Sequence, residues 1–150
     1  INNRNKLDEI LMIESQRAIR YSSHFGIIIV DIDYFKRVND TYGHQIGDIV
    51  LKEIANILKS NLRLTDTVGR WGGEEFMIIC TETDAKGIQS LAQILKEKIS
   101  SKQFNINEQI TASFGASLYQ KSEDINKLIK RADDALYSAK ENGRNRVEYL

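Results

Sequence analysis

The run Ile27-Ile28-Ile29-Val30 constrains this chain more than any other feature. Four consecutive β-branched residues disfavour helix and suit a strand covered on both faces. Gly26 precedes the run and Asp31-Ile32-Asp33 follows it. The reading is therefore a central strand that delivers two carboxylates where it leaves the core. Other elements fall around it by period. Residues 5–21 carry a helical stripe of Leu7, Ile10, Leu11 and Ala18, and a short helical turn is expected from Phe35 to Thr41. Ile46, Ile49, Val50, Ile54, Ile57, Leu58 and Leu62 recur at spacings of three and four, an amphipathic helix. Strands are expected at Thr67–Trp71 and Glu75–Cys80 around Gly72-Gly73-Glu74, where the glycines favour a tight hairpin because they accept positive φ. A helix over Asp84–Ser100 follows. Residues 110–118 alternate as a half-buried strand, with Ala112, Phe114, Ala116 and Leu118 on one side. A last helix over Ile125–Glu141 stops near Gly143, and Arg146–Leu150 forms an edge strand.

The hairpin argues against a purely parallel sheet. The order predicts an α+β fold in which helices cover a mostly antiparallel sheet. With 150 residues, no proline, no repeat and no linker, one domain over 1–150 is expected, large enough for a real core. The chain opens at Ile1 inside helical sequence, which reads as a C-terminal fragment of a longer regulated protein. The 21 basic and 21 acidic residues cancel, so neither nucleic acid nor an anionic membrane is an expected partner of this piece. No apolar stretch approaches the ~20 residues of a membrane span. A cytoplasmic location is expected, with membrane attachment only through other parts of the parent protein. The single Cys80, inside an apolar run, reads as a buried hydrophobe.

Asp31, Asp33, Glu74 and Glu75 form the chemical core of the reading. Carboxylates at neighbouring strand ends suit Mg²⁺, which takes one or two of them together with phosphate oxygens and water. Such a site serves metal-assisted phosphoryl chemistry. Spacing alone equally fits two solvated acidic turns. Gly72 and Gly73 would let backbone approach a bulky ligand. No Walker-type loop is present. Phosphates could instead meet the backbone N–H groups of Tyr34, Phe35 and Lys36, with the Lys36 charge beside them.

Arg70-Trp71-Gly72-Gly73-Glu74-Glu75-Phe76 resembles the signature of the GGDEF family of diguanylate cyclases, in its GGEEF form. So do Asp31-Ile32-Asp33-Tyr34-Phe35-Lys36, Asn39-Asp40-Thr41-Tyr42-Gly43-His44, Gly47-Asp48, Ser113-Phe114-Gly115, Ala132-Asp133, Ala135 to Lys140 and Gly143-Arg144-Asn145, in the family's order. The resemblance implies a palm-like, ferredoxin-like fold related to nucleotidyl cyclases. It implies condensation of two GTP into cyclic di-GMP by a homodimer, with Mg²⁺ or Mn²⁺. Asp31, the Ile32 carbonyl, Glu74 and Glu75 would hold metal, Glu74 would be the base, and Lys36 would stabilise the phosphates. Lys140 and Arg144 would hold the terminal phosphate, and Tyr34, Phe35 and Gly73 would stand among the substrate-binding residues. Asn39 and Asp48 would read guanine, with His44 lining the pocket or packing locally. Arg63 and Asp66 resemble the family's RxxD inhibitory site, which implies cyclic di-GMP as product and inhibitor. The family's opening Asp-x-Leu-Thr turn is not seen here; Asn3-Arg4 would be its end. Trp71 stands where the family more often has Tyr or Phe. A catalytically silent cyclic di-GMP sensor is the alternative, although it would be expected to lose a metal carboxylate or hairpin glycine.

Overall fold

The computed structural model describes residues 1–150. Its elements are α1 (Arg4–Tyr21), β1 (Phe25–Ile32), α2 (Phe35–Tyr42), α3 (His44–Ser60), β2 (Thr67–Arg70), β3 (Glu75–Thr81), α4 (Ala85–Ser101), β4 (Ala112–Leu118), α5 (Ile125–Glu141) and β5 (Val147–Tyr149). They match the expected order. The fold is α+β: a five-stranded sheet in the order β2-β3-β1-β4-β5, antiparallel except where β5 joins β4 in parallel.

β1 lies at the centre and every residue of it is buried. Its side chains alternate between two cores. Ile28, Val30 and Ile32 point into the larger one with Ile54 and Leu58 of α3 and Ile88 and Leu95 of α4. Ile27 and Ile29 point to the other, with Leu7 and Leu11 of α1 and Leu128, Ala132 and Leu136 of α5. This alternation decides the chemistry, because Asp31 has the parity of Ile27 and Ile29 and so emerges on the α1/α5 side.

β4 corrects the half-buried expectation: Ser113, Gly115 and Ser117 are buried on the second face as well. Small residues there let α5 lie directly on the strand. A Cβ on Gly115 would stand 2.3 Å from both the Ala132 carbonyl oxygen and the Leu136 nitrogen.

Local signals set the element ends. The Asn3 side chain caps α1 by accepting from Lys6 N–H at 2.9 Å, and Asp84 caps α4 by accepting from Gly87 N–H at 2.7 Å. Gly43, with φ +90° and ψ 162°, makes the sharp junction between α2 and α3, a conformation that side chains strain to adopt. The segment before α1 is tied to the sheet edge. Asn2 N–H donates to Val68 and the Asn2 carbonyl accepts from Arg70 N–H. No helix is long and apolar enough to cross a membrane.

Candidate active site

The end of β1 and the start of β3 meet at the same edge of the sheet. Asp31 pairs in register with Glu75, and Ile32 N–H donates to the Glu74 carbonyl at 3.3 Å. The turn between β2 and β3 is closed by Trp71 N–H and Gly72 N–H, both donating to the Glu75 carbonyl at 2.8 and 3.2 Å. Arg70 braces it by donating to the carbonyls of Gly72 and Gly73. Neither glycine uses positive φ, which corrects the conformational reason expected for them. A Cβ on Gly72 would stand 3.0 Å from Glu75 Oε2, whereas nothing lies within 4 Å of one built on Gly73, so that side of the turn is open.

Cations stand on this edge and along the turn into α2, from α5, the turn after it and α2. The Lys140 ammonium, near the end of α5, donates to Asp31 Oδ2 at 2.5 Å. The Arg144 guanidinium lies over the Tyr34 ring, 4.7 Å from its centroid, and Arg37 stands 5.0 Å from the same ring. Lys36 pairs with Asp40 one turn along α2, and both are well exposed. Tyr34 is left-handed (φ 55°) and starts α2 without a side-chain cap. The first-turn N–H groups of Phe35 and Lys36 therefore have no partner inside their helix.

Burial raises the proton affinity of Asp31, and the hydrogen bond and charge of Lys140 only partly offset it. Burial also pushes Glu75 up, with the Asp31 charge next in importance. Two carboxylates thus stand side by side with less positive charge than both need. That donor set fits a hard divalent cation, and Lys140 supplies part of the charge on Asp31. Asp31, Glu74 and Glu75 do not close into a finished cage, since no group of three or more acidic, His or Cys side chains stands at ligand spacing. Substrate oxygens and water would complete such a shell.

Asp33 does not join this pair. Its Oδ1 accepts from Ser113 Oγ at 2.7 Å; its Oδ2 accepts from Thr111 Oγ1 at 2.7 Å and from Asn145 N–H at 3.0 Å. On the other side of α2, the Asn39 amide oxygen lies against Gly47: a Cβ there would fall 1.8 Å from it. Asp48 follows on the exposed side of α3, and His44 is exposed at that helix's first turn.

Residues 1–146 match the pattern of the diguanylate cyclase GGDEF domain family. The chain belongs to the GGDEF family. This GGDEF domain is similar to diguanylate cyclase A of Treponema denticola, 43% identical over 126 residues, 81% of this chain and 34% of that protein. It is also similar to diguanylate cyclase DgcM of Escherichia coli, 37% identical over 145 residues, 97% of this chain and 35% of that protein. The chain thus spans about a third of the length of these curated relatives. Among solved structures, the active GGEEF domain of a diguanylate cyclase from Vibrio cholerae superposes with a TM-score of 0.93 at 36% identity, covering 98% of this chain and 96% of that one. A coiled coil and GGDEF domain of DgcB from Caulobacter crescentus, in complex with cyclic di-GMP, gives 0.96 at 29% identity, covering 100% and 82%.

Arg63 and Asp66 of this GGDEF domain lie at the far end of β3. The Arg63 guanidinium donates to both carboxylate oxygens of Asp66 and to the Thr81 carbonyl, and Asp66 accepts from Thr81 N–H. Thr81 is six residues along the strand from Glu75, roughly 20 Å away. The two sites are therefore separate. Arg63 and Asp66 line an open cavity of about 590 Å³ with His24, Glu82 and Ser90.

Two roles escaped the sequence reading. Arg4 stacks on Trp71 at 3.9 Å and donates to its carbonyl at 3.3 Å, so the start of α1 clamps the glycine turn. A cation in a helix's first turn opposes the macrodipole, and that mismatch was a readable sign of an outside partner. Arg37, between the Tyr34 ring and Glu108, gave no comparable signal.

Proposed function

We propose that this domain condenses two GTP molecules into cyclic di-GMP, releasing two pyrophosphates. The observation that carries the proposal is the Asp31–Glu75 carboxylate pair, capped by Lys140 beside the open Gly73 turn. Relatives named as diguanylate cyclases across 81–97% of the chain support it.

Asp31, the Ile32 carbonyl, Glu74 and Glu75 would hold Mg²⁺ or Mn²⁺, which when bound neutralises triphosphate charge and acidifies a nearby hydroxyl. Glu74 accepts the proton of one ribose 3′-hydroxyl. That oxygen bonds to the α-phosphorus of the other GTP, whose bond to the bridging oxygen breaks as pyrophosphate departs. A second, equivalent transfer closes the ring. The backbone N–H groups of Tyr34, Phe35 and Gly73 meet phosphate oxygens, and Lys36 stabilises charge in the transition state. Lys36 gives up little to do so, because an exposed ion pair such as Lys36–Asp40 is worth about 0–1 kcal/mol. Lys140 exchanges Asp31 for the terminal phosphate, which Arg144 also holds. Asp48 and Asn39 read the N1–H and exocyclic amine of guanine, and His44 lines that pocket. Adenine lacks this donor pair and would leave the carboxylate unpaired.

In this reading residues 1–150 are one catalytic unit of a longer protein, acting as a homodimer on the cytosolic side. Cyclic di-GMP binds at Arg63 and Asp66 and inhibits.

The test is incubation with GTP and Mg²⁺, with products resolved by chromatography and mass detection. Cyclic di-GMP is expected, and is expected to vanish in Glu74→Ala and with ATP as the only nucleotide. Tight cyclic di-GMP binding with no product at any protein concentration would replace the enzyme with a silent sensor.

A further inference from the structure

Asp33 is as buried as Asp31, at 6% and 7% exposure, yet where Asp31 holds a lysine, Asp33 holds only neutral donors. Its Oδ2 lone pairs are both taken, by Thr111 Oγ1 and Asn145 N–H, and its Oδ1 holds Ser113 Oγ. The carboxylate thereby joins three places far apart in sequence: the exit of β1, the start of β4, and the turn after α5. Asn145, 112 residues away, is reached through its backbone rather than its side chain.

That turn is strained. Arg144 and Asn145 are consecutive non-glycine residues with φ of 64° and 47°, and Tyr34, beneath the Arg144 guanidinium, has φ 55°. Left-handed conformations at such residues persist only where the surroundings over-determine them. Asp33 lies next to Tyr34 in sequence and bonds directly to Asn145, so it is the group placed to hold both.

We propose that Asp33 is a positioning residue for substrate: it fixes the turn at Asn145 so that Arg144 reaches the terminal phosphate of GTP. This rests on the phosphate role proposed for Arg144. Asp33 acts through that arginine, and its effect is confined to ligands that carry the outer phosphates.

The test compares binding of an unreactive α,β-methylene GTP analogue with binding of GMP, by calorimetry in Mg²⁺. Arg144→Ala is expected to lower the preference for the triphosphate. Asp33→Ala is expected to lower it about tenfold, the size of one lost hydrogen bond to a charged group, with GMP affinity little changed. Asp33→Asn, which can still accept at Asn145 and donate to Ser113 Oγ, is expected to restore most of the preference. In the Arg144→Ala background, Asp33→Ala is expected to add nothing. An equal loss in both backgrounds overturns the proposal, because it shows Asp33 acting on metal or fold directly. If Asp33→Ala does not fold by thermal melting, Asp33→Leu, similar in size but without an acceptor for Asn145 N–H, takes its place, and a wild-type preference there overturns the proposal too. If Arg144→Ala alone leaves the preference intact, the phosphate role falls and the proposal with it.

Discussion

Gly47 shows how one missing methyl group bears on specificity. Its place in the fourth position of α3 looks costly, since glycine inside a helix is worth about 0.5–1 kcal/mol less than alanine. The space answers the question. A Cβ would sit 1.8 Å from the Asn39 amide oxygen and 3.2 Å from Phe35 Cζ. Gly47→Ala must therefore displace the end of the Asn39 side chain, a rotation that the fold tolerates and that the guanine-reading role proposed for Asn39 would not. The helix-propensity gain offsets the crowding of Phe35. We expect a Tm within about 3 °C of wild type and a KM for GTP raised about fivefold, one neutral hydrogen bond's worth. An unchanged KM would remove Asn39 from the base pocket. The sequence made Asn39 and Asp48 readable as candidates through their motif. It could not show that Gly47 makes room for one of them, because that contact depends on how two helices join at Gly43.

At the level of elements, period carried most of the fold. The β-branched run placed β1, spacings of three and four placed α3 and α5, and the whole order was legible. What failed was the second face of β4. Alternation of Ala112, Phe114 and Ala116 with Ser113, Gly115 and Ser117 reads as buried against exposed, because small and polar residues suit water. Here they serve close approach instead, and no local pattern separates those two uses. Asp33 is illegible for the same reason: its partners Ser113 and Asn145 lie 80 and 112 residues away. The hairpin glycines were legible as glycines, but not the close approach at Gly72, where a Cβ would stand 3.0 Å from Glu75 Oε2. Gly115 turns the β4 finding into a test. Its missing Cβ would meet α5 backbone at 2.3 Å, and backbone cannot rotate aside. Overpacking usually costs about 1–3 kcal/mol, and a clash with fixed backbone belongs at the top of that range or beyond. Gly115→Ala is expected to lower Tm by about 10 °C, taking about 3–4 °C per kcal/mol for a chain of this size. The same displacement shifts the C-terminal end of α5, so the affinity for GTP falls with it. A melting curve that overlays the wild type would mean that α5 rides more loosely on β4 than the structure shows.

Across the whole molecule, the decisive fact is that the Asp31–Glu75 edge occurs once, while the proposed product contains two guanosines. In the proposed mechanism one copy has a single set of cations for a triphosphate, Lys36, Lys140 and Arg144. A symmetric pair of copies meets the requirement with one self-complementary arrangement, each presenting its GTP to the other's 3′-hydroxyl. The chain's balanced charge helps, since two copies approach without net repulsion and the substrates' phosphates are the main charges to offset. The cyclase rate must then follow the population of pairs. Below the dissociation constant of the pair, tenfold more protein gives about a hundredfold more product per unit time, and specific activity levels off only once most chains are paired. We expect this curvature when the protein is diluted into saturating GTP and Mg²⁺, with the plateau at the concentration where sedimentation shows dimers. The two measurements must agree, because the same equilibrium sets both. Constant specific activity from a species that sediments as a monomer would place both nucleotides on one chain, and the symmetric scheme would fail.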